Sequence, residues 1–285
     1  MAKRRLINSH VHSTGSDGKL TPEEMIKEAI ESGISYLCFC DHYRRPEEFK
    51  GGRRKNKSIK KFNYEDYVNN IKGLSKKYKS KIEICFGTEV DWFEEFKDWI
   101  KNEIKDFGNR YDLIIGAIHY LKIGTEYYPI DATPELWEEV ADKIGIKRYI
   151  KEYYKQLRLM VRSRLFDCIG HFDIIKIYNK NSELFDENEG WYKEEILKTL
   201  DEASKTGICI EINTHGFKKL VGAQYPSKWI IKEANKREIP ITISSDAHRT
   251  GEVGDKLEDA IKIAKKSGYD SIVKFNNHEF IEIKI

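Results

Sequence analysis

The chain has 285 residues, 40% of them hydrophobic and 34% charged, with a net charge of +3. That hydrophobic share excludes wholesale disorder, and a chain near this length buries roughly 75% of its unfolded surface. Fifty basic residues against 47 acidic ones exclude a uniformly basic nucleic-acid binder. The balance is nevertheless uneven. Between Arg44 and Asn63, nine Lys or Arg face only Glu47 and Glu48, an excess of seven positive charges on an otherwise mildly acidic chain. No run approaches the ~20 apolar residues that span a bilayer, and the apolar stretch behind Met1–Arg5 is too short for a signal peptide. The five cysteines, Cys38, Cys40, Cys85, Cys168 and Cys209, lie in apolar runs without a C-x-x-C pair. They are expected to be buried, reduced thiols of a cytoplasmic protein.

In chain order, the first strand is predicted at 6–10. Thr21-Pro22-Glu23-Glu24 then starts a helix, with Thr as cap and Glu at the third position. A strand at 36–41 leads into the basic block 44–63, whose Gly51-Gly52 and sparse apolar residues read as a long loop. A helix at 64–78, a strand at 82–89, a helix at 94–107 and a strand at 113–119 come next. The helix at 147–164 precedes a strand at 168–171, and the helix at 191–206 precedes a strand at 208–213. The helix at 227–236, the strand at 241–246 and the helix at 256–267 follow, with 271–275 as an eighth strand candidate. The strands are continuously apolar, as strands covered on both faces are. Their alternation with helices predicts an α/β fold with a parallel sheet, and no linker or repeat divides the chain into more than one domain.

Six of the eight histidines fall at or just past a predicted strand's carboxyl end: His10, His12, His42, His119, His171 and His248. Glu89 and Asp246 close two of the same strands. In a parallel barrel these ends share one rim, so positions from 10 to 248 would converge. His10 and His12, like Asp246 and His248, are spaced to point to one side of an extended chain. Imidazole and carboxylate donors suit zinc, manganese or iron, and this many exceed the needs of one ion. Two or three divalent ions are expected, with Glu89 bridging two of them; Asp91 is the alternative to Glu89. His215 stands near the rim without a clear role. His278 reads as a surface residue, and Asp112 and Asp173 as structural.

The motifs His10-Val11-His12, Ser16-Asp17-Gly18, Asp41-His42, Gly87-Thr88-Glu89, Ala117-Ile118-His119, Gly170-His171-Phe172-Asp173 and Ser245-Asp246-Ala247-His248 follow in that order. In this the chain resembles the PHP superfamily, and GAIHYL, GHFDIIK and EINTHGF resemble its histidinol-phosphate phosphatase branch. The resemblance implies a distorted, TIM-like (β/α)7 barrel with a trinuclear metal site. By position, His10, His12, Glu89 and Asp246 would hold a first ion, and Glu89, His119 and His171 a second. Asp17, His42 and His248 would hold a third. The resemblance also places Lys176 and Lys218 or Lys219, with His215 beside them, toward the substrate phosphate.

The implied substrate is L-histidinol phosphate. The expected reaction is in-line attack on phosphorus by a hydroxide bridging two metals. The leaving alkoxide would take its proton from Asp17, His248 or a water. The alternative is a phosphodiesterase or nuclease of the same superfamily, with the basic block gripping a nucleic-acid backbone. Against it, the block lacks interleaved aromatics for base stacking.

Overall fold

The computed structural model describes residues 6–50 and 64–285, so the second part of the basic block lies outside the described residues. The elements in order are β1 (Leu6–Val11), α1 (Pro22–Glu31), β2 (Ile34–Phe39), α2 (Tyr64–Tyr78), β3 (Glu83–Asp91), α3 (Lys97–Phe107), β4 (Leu113–Ala117), β5 (Tyr120–Ile123) and β6 (Glu126–Pro129). They continue with α4 (Pro134–Ile144), α5 (Ile146–Ser163), β7 (Cys168–Ile169), α6 (Gly190–Thr206), β8 (Cys209–Asn213), α7 (Lys228–Asn235), β9 (Ile241–Ser244), α8 (Leu257–Lys266), β10 (Ser271–Asn276) and β11 (Glu279–Lys284).

Seven of these strands form one sheet in the order β1-β2-β3-β4-β7-β8-β9, and every pairing is parallel. The sheet curls until its first and last strands meet. The His12 amide donates to the Ala247 carbonyl, and the Asp246 amide to the His10 carbonyl, both at 2.9 Å. The barrel is distorted because β7 contributes only two residues and β1 shifts register twice against β2. Burial explains the apolar strands: β1, β4, β8 and β9 are buried at every position. The first helix starts as its sequence predicts. Thr21 accepts from the Glu24 amide, and the Glu24 carboxylate accepts from the Thr21 amide at 2.8 Å.

Four of these elements were not legible in the sequence. The β5–β6 hairpin and α4 occupy the stretch between His119 and α5, and β11 follows β10. The candidate strand at 271–275 does form, but it pairs antiparallel with β11 and stays out of the barrel sheet. The β10–β11 hairpin closes the amino-terminal end of the barrel. Its turn residues Asn277 and His278 donate their amides to Asp112, immediately ahead of β4. His278, read from the sequence as a surface residue, is partly exposed but is also held by two partners. Its Nδ1 lies 2.8 Å from Asp167 Oδ2 and its Nε2 lies 3.0 Å from the Gly108 carbonyl. All five cysteines are free and buried, and among the described residues no helix is long and apolar enough to cross a membrane.

Candidate active site

The carboxyl ends of the barrel strands carry the polar residues that the apolar strands lack. Glu89, near the end of β3, stands at the centre. Its Oε2 lies 3.7 Å from His10 Nε2, 3.5 Å from His12 Nε2 and 2.9 Å from His42 Nδ1. Its Oε1 lies 3.7 Å from His119 Nε2 and 2.9 Å from His171 Nε2. One carboxylate thus faces five imidazoles brought in by four strands. Asp246 Oδ1 is 3.3 Å from His12 Nε2 and 3.9 Å from His10 Nε2. Asp17 joins from the loop after β1, with Oδ1 at 3.3 Å from His248 Nε2, 3.8 Å from His42 Nε2 and 3.9 Å from His12 Nδ1. All nine residues predicted as metal ligands therefore meet on one rim.

Backbone shape makes this convergence possible. His171 and Asp246 adopt positive φ values of 26° and 50°, sterically costly for residues with a Cβ and concentrated at functional sites in general. Gly18 lets the loop carrying Asp17 fold tightly. A Cβ at that position would lie 2.0 Å from the His12 carbonyl oxygen. Buried Asp41 holds the same loop by accepting from the Ser13 amide at 2.8 Å, the Ser13 hydroxyl at 2.7 Å and the Ser16 hydroxyl at 2.6 Å.

Behind the cluster are two carboxylates. Glu211, fully buried in β8, takes His10 Nδ1 at 2.8 Å, the His171 amide at 2.8 Å and Asn213 Nδ2 at 3.0 Å, and the Ser244 hydroxyl donates to it. Asp91 takes His119 Nδ1 at 2.7 Å and pairs with Arg45. A histidine that gives Nδ1–H to a carboxylate is fixed in orientation and presents the Nε2 lone pair, as metal-bound histidines do. The sequence reading missed Glu211 and left Asp91 as a substitute for Glu89. The available signal for Glu211 was a lone acid inside an apolar strand, which burial obliges to find partners.

The donor set fits divalent cations. Ions that hold N and O donors at about 2.0–2.2 Å bring those donors within about 2.9–3.6 Å of one another. His10 Nε2 and His12 Nε2 are 2.9 Å apart, and most contacts above lie in or near the same range. Among the described residues, three overlapping groups have donors within 4.8 Å of one another: His12, Asp17, His42 and His248; His10, His12 and Glu89; and His42, Glu89 and His119. The electrostatics agree. Burial disfavours the ionised Glu89 and Asp246, yet the imidazoles around them hold both well below the usual carboxylate range. Burial likewise depresses His119, but Glu89 and Asp91 outweigh it and push it up to about 10. The Asp17 hydrogen bond and Asp246 outweigh burial at His248, which rises to about 9. Burial and the neighbouring His248 and His42 push His12 down to about 4. The cluster keeps its carboxylates ionised and draws positive charge toward them.

A family model described as the PHP domain matches residues 8–215, from β1 to just beyond β8. The chain belongs to the PHP domain family. A Deinococcus radiodurans protein named "Probable histidinol-phosphatase" is 28% identical over 269 residues, spanning 92% of this chain and 94% of that protein. The histidinol-phosphatase of Bacillus subtilis is 26% identical over 263 residues, spanning 88% and 96%. Among solved structures, the histidinol phosphate phosphatase of Lactococcus lactis, complexed with zinc, L-histidinol and phosphate, matches with a TM-score of 0.79 at 21% identity. That match covers 97% of this chain and 99% of the other, and it shows a shared distorted barrel.

Of the basic residues that the PHP resemblance directs toward phosphate, Lys176 and Lys218 are engaged with protein groups. Lys176 is buried, with Nζ 2.8 Å from Asp173 Oδ2 and a bond to the Ser227 hydroxyl. Asp173 also accepts from the Ser227 amide at 2.9 Å, in keeping with its structural reading. Lys218 is partly exposed, 3.3 Å from Asp255 and 3.6 Å from Glu252. Glu252 in turn accepts from the His248 amide at 2.9 Å, which ties Lys218 to the rim of the cluster. His215 lies beside His248, with ring centroids 5.7 Å apart, and its buried Nδ1 has no partner among the described residues. Burial and nearby positive charge push it down to about 4, despite the opposing pull of Asp246.

Proposed function

We propose that this PHP-family chain, as a single domain, is a metal-dependent phosphomonoesterase that hydrolyses L-histidinol phosphate to L-histidinol and phosphate, a step of histidine biosynthesis. The relatives that span about nine-tenths of the chain support the substrate. The observation that carries the chemistry is the convergence of six histidines with the carboxylates of Glu89, Asp246 and Asp17. His10, His12 and Asp246 would hold one of two or three divalent ions, His119 and His171 a second, and Asp17, His42 and His248 a third, with Glu89 shared. Zinc, manganese and iron all suit these donors. When bound, such ions offset the charge of a phosphate dianion and lower the pKa of water at the site.

The chain's own part follows from placement. Glu89 reaches two groups of imidazoles with one carboxylate, so it keeps their positions mutually fixed. Glu211 and Asp91 fix His10 and His119 by their Nδ1 atoms. Asp17 and His248 are paired and are the two most solvent-open members of the cluster. We assign them to hold and deliver the proton that the leaving alkoxide takes. No Ser or Cys nucleophile is needed, and all five thiols are buried. Lys218 and His215 stand on the His248 side and are assigned to the substrate. Lys176, paired with Asp173, supports that wall of the site. The nuclease alternative drew on the basic block, but Arg44 and Arg45 are both engaged with carboxylates.

The test is removal and return of metal. Chelator-stripped protein should lose hydrolysis of histidinol phosphate and regain it with zinc or manganese, and His171→Ala should lower kcat by orders of magnitude. Equal rates for stripped and loaded protein would refute the reading.

A further inference from the structure

The basic block begins inside the site. Arg45 is mostly buried, its Nε donates to the Asp91 carboxylate, and its guanidinium lies 4.8 Å from the Tyr120 ring and 5.7 Å from the Phe49 ring. Asp91 spends its other oxygen on His119 Nδ1 at 2.7 Å. His119 then turns Nε2 toward Glu89 Oε1 at 3.7 Å. These contacts form an unbroken line from Arg45 to the centre of the cluster.

The neighbours of Arg45 hold it in place. The Tyr43 amide donates to the Glu89 carbonyl at 2.7 Å. Arg44 grips Glu103 of α3 through bonds of 2.7 and 3.0 Å, and Tyr43 donates its hydroxyl to the same carboxylate at 2.6 Å. Phe49 is buried among Phe93, Tyr127 and Tyr120, with ring centroids at 4.5, 4.8 and 5.1 Å. This part of the block is therefore anchored on both sides of Arg45.

We propose that Arg45 is a positioning residue for the metal centre: it fixes Asp91, and Asp91 holds His119 in the ring orientation and tautomer that offer Nε2 to a cation. The proposal rests on the metal-centre reading and deepens it. The physical reason is the cost of leaving Asp91 alone. A buried carboxylate left without its cationic partner is uncompensated and turns toward other donors or water, which releases His119 Nδ1. Arg suits this place because its planar guanidinium can donate to a carboxylate while stacking on aromatic rings. This role differs from that of a free cation that attracts the phosphate dianion.

The experiment is a zinc titration of purified protein against a chromophoric chelator, with steady-state kinetics on the same preparations. Arg45→Met and Asp91→Asn should each weaken one class of sites by about 10–100-fold, the usual effect of removing a partner of a metal-bound histidine. The double variant should bind zinc no more weakly than Asp91→Asn alone, and Arg45→Lys should recover part of the loss. At saturating metal, kcat of Arg45→Met should return toward wild type. Unchanged zinc affinity overturns the proposal, whether the variants show a raised KM, which indicates a grip on substrate, or a lowered Tm, which indicates a structural strut. If the wild-type protein binds zinc but does not act on histidinol phosphate, the substrate reading fails and the zinc titration still decides the role of Arg45.

Discussion

The two ends of the barrel use histidine in opposite ways. At the carboxyl rim, His10 and His119 each give Nδ1 to a buried carboxylate and leave Nε2 facing the cluster. At the amino end, His278 has both nitrogens taken, by Asp167 and by the Gly108 carbonyl. Two acceptors around one ring favour the doubly protonated imidazolium, and the Asp167 hydrogen bond is the main cause that raises the His278 pKa. The lesson is one of bookkeeping by atom: a ring with one nitrogen left over can bind a cation, and a ring with none left over ties elements together.

The largest effect should come from the shared carboxylate. Glu89→Gln keeps the volume but removes the charge that five imidazoles face. Hydrolysis should fall by at least about 100-fold, with fewer metal ions retained per chain, because groups acting as a unit fail together. A variant with full metal content and near-normal kcat would break the rim half of the comparison. Next comes Glu211→Gln, which still accepts a hydrogen bond from His10 but without charge. Metal affinity should drop by about 10-fold or more while the fold persists, measured by chelator competition and circular dichroism. The smallest effect belongs to the amino end. His278→Ala should leave metal content and kcat unchanged and cost about 1 kcal/mol of stability in denaturant unfolding, a charge-assisted bond discounted for partial exposure. Its pH dependence has a definite sign. A histidine whose folded pKa is raised contributes fully below its unfolded value, near 6.5, and that contribution fades as pH rises through the folded value. The stability gap between wild type and His278→Ala should therefore be wider at pH 6 than at pH 9. A gap that widens toward pH 9 would contradict the imidazolium assignment.

The rim was more legible in the sequence than the amino end, for physical reasons. Strands buried on both faces read as continuous apolar runs, so a histidine or carboxylate closing such a run stands out. His10, His119, His171, Glu89 and Asp246 were visible in this way. Asp17 was not, because it reaches the cluster through a loop whose path depends on Gly18 and Asp41, and only the family resemblance pointed to it. Glu211 was visible as a lone acid in β8 but was passed over, since only the structure shows its four partners. The β5 and β6 strands are four residues each, too short for periodicity to declare them. The role of His278 depends on Asp167 and Gly108, more than a hundred residues away in sequence, and no local pattern encodes that pairing. The basic block read as a long loop, and no local pattern showed that its described part is anchored through Arg44, Arg45 and Phe49.

The most direct measurement of the central claim is a substrate panel on one preparation whose metal content is counted by emission spectroscopy. Histidinol phosphate, a dinucleotide and single-stranded DNA would be compared at equal enzyme concentration. The account predicts two to three divalent ions per chain and hydrolysis of histidinol phosphate with kcat/KM far above that of either diester. No bound metal, or faster cleavage of the diesters than of histidinol phosphate, would contradict it.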